Sequence, residues 1–150
     1  MQRFVTAYEL NSADTSFIEL DEGVVKGVSA LPNNLIERLV TRPRLSRVRA
    51  AVQATAVSRG DPIISHLPRL TAAIATTQRI TGNRSRHLAF SFNFTDLPQG
   101  LSLAYFRNAL RRVDRFITYS EYERDLYSGY FGIDKAKFQR YHLYLLHLTR

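Results

Sequence analysis

What most constrains this chain is a rhythm of short β-branched and aromatic runs alternating with segments of helical period, joined by links of a few residues. The clearest cycle is "RFITYSEYERDLYSGYFGIDKAKF", Arg115 to Phe138. Arg115 to Ser120 reads as a strand. Ser120 and Glu123 then have the spacing of a capping box, in which hydroxyl and carboxylate each satisfy a backbone N–H left free at a helix start. The helix they open turns Leu126, Tyr127, Tyr130 and Phe131 inward, Gly132 closes it, and Asp134 caps one more short turn reaching Phe138. Parallel strands need a crossover, usually a helix, and that crossover is right-handed. The rhythm therefore predicts an α/β fold with a parallel sheet flanked by helices.

Earlier cycles repeat it. Gly60-Asp61-Pro62 ends a helix, "IISHLPR" supplies a strand with Pro68 entering the next helix, and that helix carries Leu70, Ala73, Ile74 and Ile80 before Gly82-Asn83. His87 to Phe94 reads as the following strand. Leu101 to Val113 is a helix with Leu103, Phe106, Leu110 and Val113 inward and Arg107, Arg111 and Arg112 outward. Upstream, Leu35, Ile36, Leu39 and Val40 mark a helical face that Pro43 interrupts, and Leu45, Val48, Val52 and Ala56 resume it. Phe4 to Leu10 reads as a first strand, and Asn11 to Asn34 as loop with a small strand at Val24-Val25. No internal repeat appears beyond the alternation.

A length of 150 residues suits one domain with a single core. The net charge of +8 is almost wholly arginine, since Lys26, Lys135 and Lys137 are the only lysines. Arginine favours planar, bidentate contact with phosphate or carboxylate, so an anionic partner fits the composition. A solvated basic surface fits it equally. Cysteine is absent, which excludes disulfides and thiolate metal sites. His142 and His147 lack acidic companions, so no metal site is expected. No apolar run approaches the ~20 residues of a membrane span, and the first residues lack a signal-peptide pattern. The expected location is cytoplasmic, with membrane contact at most peripheral at the inner face.

Ligands of open α/β sheets bind beyond the carboxyl ends of the strands. Ser65-His66, Asn93-Thr95-Asp96 and Tyr119-Ser120 end three successive strands, beside helix N-termini whose free N–H groups favour anions. "SFNFTDLPQG" is the most suggestive of these, a strand running into polar groups and then a proline-glycine turn. His66 reads as a general base or a turn residue. Asp96 reads as the cap of the helix after Gly100 or as an acid that binds a hydroxyl. Ser120 and Glu123 have capping as their first duty. No GxSxG elbow, GxGxxG, P-loop or HExxH motif is present.

"HLAFSFNFTDLPQGLSLAYFRNALRRVDRFITYSEYERDLYSGYFGIDKAKFQR" resembles the second half of the N-terminal domain of GT-B-fold glycosyltransferases of the bacterial polysaccharide type. The strand "AFSFNF", the helix "YFRNALRRVDRF", the strand "ITYS" and the run "SEYERDLYSGYFGIDKAKF" carry the resemblance, and "DPIISHLPRL" is similar to the preceding strand and helix start. The resemblance implies two Rossmann-like domains facing a cleft, the N-terminal one for the acceptor and the C-terminal one for a nucleotide sugar. His66 or Asp96 would then be the catalytic base, and Asn93, Thr95, Gln99, Ser120 and Glu123 would line the acceptor side. No cofactor is implied, since the nucleotide sugar is a substrate. The acceptor would be a saccharide or a lipid-linked saccharide.

The chain also departs from that pattern. The family's glycine-rich loop has no counterpart between Leu10 and Gly27, and the acidic pair of the donor domain is not found. Residues 1–140 are expected to form an incomplete N-terminal domain, and "YHLYLLHLTR" at 141–150 an atypical tail. Such a truncated chain would have little turnover without a separate C-terminal domain. The alternative is a small basic α/β module for nucleic acid or an acidic membrane surface, through Arg42, Arg44, Arg47, Arg49, Arg107, Arg111 and Arg112. Its tyrosines at helical core spacing argue against a stacking platform for nucleic acid. A third reading is a subunit that pairs with a separate C-terminal half and leaves an apolar face uncovered.

Overall fold

The structure, a computed structural model, describes residues 4–8, 24–29, 43–90 and 92–140. Its strands are β1 (Phe4–Tyr8), β2 (Val24–Ser29), β3 (Ile63–His66), β4 (His87–Phe90), β5 (Arg115–Thr118) and β6 (Phe138–Arg140). The helices are α1 (Pro43–Ser58), α2 (Pro68–Thr81), α3 (Gly100–Leu110) and α4 (Glu121–Phe131), with a 3₁₀ turn at Lys135–Lys137. All six strands pair in parallel, in the order β2-β1-β3-β4-β5-β6. This is the Rossmann-like α/β arrangement that the alternation predicts.

Register decides which side chains meet the helices. Val5 pairs with Ile63, Ile63 with His87, Ser65 with Ala89, Ala89 with Phe116, and Phe116 with Phe138, so all of these share one face. Against that face α1 and α2 pack Ala50, Ala51, Ala54, Leu70 and Ile74, while α3 and α4 pack Phe106, Leu110, Tyr127 and Phe131. Phe92, just beyond β4, joins the second group and meets the Phe116 ring at 4.8 Å and the Tyr127 ring at 5.5 Å, both edge-on. Edge-on aromatic pairs of this kind add roughly 0.5–1.5 kcal/mol each beyond the area they bury.

The inward face of α1 differs from the expectation. Leu45, Val48 and Val52 are 56%, 53% and 51% exposed, and Ala56 is exposed as well. The buried face is small and partly polar: Ser46, Ala50, Ala51, Ala54, Thr55 and Ser58. Both stripes have helical period, and bulk selected the wrong one. Small side chains let α1 lie close on β1 and α2, and a polar clasp holds its end, with Asn83 Nδ2 donating to Thr55 O at 3.0 Å and to Ser58 Oγ at 3.1 Å. The segment Leu35 to Val40 lies outside the described residues.

Boundaries shift elsewhere. The strand expected to reach Phe94 ends at Phe90, because Phe92 and Phe94 turn into the aromatic core beneath α3 and α4. The strand expected to reach Ser120 ends at Thr118, and the helix expected over Leu101 to Val113 spans Gly100 to Leu110. The second strand runs on from the expected Val24-Val25 to Ser29. The α4 start is as predicted: Ser120 Oγ accepts from Glu123 N at 3.1 Å, and Glu123 Oε2 accepts from Ser120 N at 3.2 Å. Gly132 closes the helix at φ 65°, where a Cβ would be strained, and Asp134 caps the following turn. Ser120→Ala is expected to cost about 1 kcal/mol of stability in urea unfolding, with no loss of sheet content by circular dichroism.

A chain of polar groups lies buried between β3, β4 and α2. Thr71 Oγ1 donates to Leu67 O at 2.9 Å, so it accepts from Ser65 Oγ at 2.8 Å. Ser65 has no second proton, and it therefore accepts from His87 Nε2 at 2.8 Å. His87 is thus the neutral Nε2–H tautomer, with a buried Nδ1 that has no partner. Burial pushes its pKa down from 6.5 to about 3. Between those values the unfolded chain binds a proton that the folded chain refuses, so stability falls as pH drops through this window. From pH 7 to pH 5 the loss from this group is expected to be about 2 kcal/mol. Urea midpoints at the two pH values check it, and His87→Asn, though less stable throughout, should show a flatter pH slope.

Candidate functional site

The carboxyl ends of β3, β4 and β5 share one sheet edge, as the parallel order requires. At that edge a groove of about 580 Å³ opens between α1, α2, α3 and the segment that follows β4. Arg47 and Val48 of α1 form one wall, and Arg69 and Ala73 of α2 form the next. Asp96, Leu97 and Gln99 close a third side, and Ser102, Tyr105 and Phe106 of α3 the last.

Two tyrosines hold the loop in place. Phe94 N donates to Tyr127 Oη at 3.1 Å, and Tyr130 Oη donates to Pro98 O at 2.8 Å. The Phe94 ring also stacks on Phe131 at 5.1 Å. Asp96 is therefore suspended between two anchored backbone points rather than on a free loop. It is not the cap of α3: Gln99 occupies that position, and no side chain caps the helix. This removes the capping alternative read for Asp96 in the sequence, and Asp96 lines the groove instead.

Arg69 is the second residue of α2 and exposed on the groove wall. The turn that places it is strained. Leu67 has φ 70° and ψ 139°, a conformation that residues with a Cβ rarely adopt. Its carbonyl receives Thr71 N at 3.1 Å and Thr71 Oγ1 at 2.9 Å, which ties the turn to the buried Ser65–His87 chain. Strain of this kind persists only where surrounding bonds over-determine it, and it concentrates at functional sites.

The other expected site residues lie elsewhere. His66 is half-buried with its ring 5.3 Å from Phe90, outside the groove lining, and burial lowers its pKa below 6.5. It is a neutral imidazole at pH 7, chemically suited to accept a proton. Asn93 and Thr95 are exposed and also outside the lining. The Glu123 carboxylate takes the Tyr119 and Ser120 N–H groups at 2.8 and 3.2 Å, and its capping role with Ser120 accounts for it. Only Asp96 and Gln99 of the expected set enter the groove. Arg69, Ser102 and Tyr105 were missed, although the strand-end logic applied to His66 reaches Arg69 three residues later. Arg47 is one of the seven arginines of the basic surface read from the sequence, and it lines the groove.

Two of those arginines have structural duties. Arg107 donates to Tyr130 O through Nε and Nη2 at 3.1 and 2.8 Å, and Arg112 Nη2 donates to Asn83 O at 2.8 Å. Among the described residues no His, Asp or Glu cluster could hold a metal ion, and no helix is long and apolar enough to cross a membrane.

No protein-family model matches the chain, and no curated protein matches it in sequence. Among solved structures it is similar to alpha,alpha-trehalose 6-phosphate synthase from Burkholderia multivorans, a GT-B glycosyltransferase, with a TM-score of 0.53 and 11% identity. The match covers 87% of this chain and 43% of that one, so the chain spans less than half the length of the enzyme it matches. The likeness is one of fold, a glycosyltransferase-like Rossmann arrangement.

Strain at Leu67 is open to measurement. Leu67→Gly removes the Cβ clash and is expected to leave the thermal midpoint unchanged or raised, because relief of about 1–3 kcal/mol offsets the lost packing. Leu67→Val, β-branched at positive φ, should lower stability by at least about 1 kcal/mol. A larger loss from glycine than from valine would mean that the turn stores no strain.

Proposed function

We propose that this chain is an acceptor-binding domain of a GT-B-type glycosyltransferase, and that the groove between α1, α2 and α3 receives a saccharide carrying a phosphate or a lipid-linked diphosphate. The observation that carries the reading is that Arg69 of α2 and Asp96 of the loop after β4, with Arg47 of α1, line one groove at the carboxyl edge of the sheet. Guanidinium groups favour the anionic end of such an acceptor. The hydroxyl-bearing end then lies toward Asp96 and Gln99, and the Tyr105 ring offers an apolar face for the sugar.

In the reaction the acceptor hydroxyl attacks the anomeric carbon of a nucleotide sugar, and the bond from that carbon to the diphosphate oxygen breaks. Asp96 takes the hydroxyl proton as the new bond forms. Charge leaves with the nucleoside diphosphate, and the groups that stabilise it would come from a separate donor-binding domain.

The test is calorimetric titration of the chain with a hexose 6-phosphate, the free hexose and inorganic phosphate. The phosphorylated sugar is expected to bind best, and Arg69→Ala to weaken it about 10- to 100-fold, the value of one charge-assisted contact of ~1.5–3 kcal/mol. Asp96→Asn should leave that binding within about threefold yet abolish transfer once a donor domain is supplied. Absence of saccharide binding, or binding indifferent to Arg69→Ala, would overturn the proposal.

A further inference from the structure

Beside the groove, α2 and α3 enclose a second, smaller hollow of about 90 Å³, with the buried Ala75 and Ala109 at its base. Two arginines reach across it in opposite directions. Arg79, in the last turn of α2, donates from Nη1 to Asn108 Oδ1 of α3 at 2.6 Å. Arg112, just past α3, donates from Nη2 to Asn83 O, just past α2, at 2.8 Å. Asn83 is itself clasped to α1 through its amide bonds to Thr55 and Ser58, so the anchor for Arg112 is fixed. A cation near a helix C-terminus gains from the free carbonyls there, which accounts for Arg79. It does not account for two guanidinium groups on one hollow.

We propose that this hollow binds the phosphate group of a small phosphorylated molecule, at a site separate from the acceptor groove. Both arginine bonds end on neutral oxygens and use one of a guanidinium's several N–H donors, so charge and donors are left over. No Asp or Glu lines the hollow, and among the described residues neither arginine forms an ion pair. Like charges facing one small space repel, and an anion between them turns that repulsion into attraction. Guanidinium forks match the geometry of phosphate oxygens. Tyr105 adds a neutral donor. Thr76 Oγ1 donates to Ala72 O at 2.8 Å, and its further contact with Tyr105 Oη, at 3.4 Å, makes little demand on the tyrosine's own proton. The volume suits a phosphate group alone and leaves the rest of its molecule in solvent. Tyr105 also lines the groove, so one side chain forms a wall of both sites, yet the hollow does not depend on the acceptor reading of the groove.

The test is titration of the full chain with inorganic phosphate and with glycerol phosphate at constant ionic strength, followed by amide NMR. Saturable shifts are expected at Arg79, Asn83, Asn108 and Arg112. Arg112→Ala should weaken phosphate at these amides at least about tenfold, the value of a charge-assisted contact. Arg111→Ala removes the same charge from an exposed neighbour outside the lining, and it should change binding less than about twofold. Asn108→Asp guards against a folding defect: its carboxylate still accepts from Arg79, while its charge takes the anion's place and should abolish binding. Phosphate binding that survives Asn108→Asp would overturn the proposal. So would equal losses in Arg111→Ala and Arg112→Ala, which would mean a diffuse basic surface. Shifts confined to the groove and lost in Arg69→Ala would place phosphate there alone and also overturn it, whereas hollow shifts that persist in Arg69→Ala keep this site whatever becomes of the groove. Tighter binding of a short oligonucleotide or of phosphatidic acid vesicles than of glycerol phosphate would assign the surface to a polyanion instead.

Discussion

Phe92 lies just beyond β4, is 1% exposed, and meets the rings of Phe116, Phe94, Tyr127 and Phe131 at 4.8, 5.4, 5.5 and 6.3 Å. Through these contacts one side chain joins β5, α4 and the loop that follows β4. The loop is consequently drawn inward at the point where the strand stops, and Phe94 follows it into the same aromatic cluster. Tyr127 and Tyr130 then reach from α4 to bond the loop backbone. Asp96 and Gln99 owe their place in the groove to this packing, not to any side-chain hydrogen bond of their own.

The opposite half of the molecule works by the reverse device, packing through smallness. The alanine, serine and threonine face of α1 allows a close approach to β1 and α2, and the larger Leu45, Val48 and Val52 are turned outward as a result. Val48 and Arg47 thereby come to the groove instead of the core. Beneath the groove, the Ser65–Thr71–His87 chain fixes the start of α2, and the strained Leu67 turn above it aims Arg69. Aromatic bulk positions one side of the groove, and small polar residues position the other.

That the four described helices share one face also follows from connectivity. Once β2 lies outside β1, every later crossover moves the same way, and four helices must share one side. Side chains of alternate parity, such as Leu88 and Ile117, then face away from those helices.

Much of this was legible in the order of residues, where local chemistry decides. The Ser120–Glu123 box, the Gly132 stop, the Asp134 turn and the alternation that implies a parallel sheet all depend on neighbours within a few positions, and all appear in the structure. Long-range contacts decided the rest. The face of α1 could not be read because two stripes share one period and only the surface beneath it chooses between them. The end of β4 could not be read because Phe92 and Phe94 suit a strand locally and are taken instead by the rings of α4. Asp96 was legible as a polar strand-end residue, but Arg47 and Arg69 were not legible as its companions, since they are distant in sequence and meet only across the helices of one sheet face. Sequence by itself determined the elements and their caps, because those energies are local; tertiary structure decided which faces are buried and which charges share a groove, because packing is not.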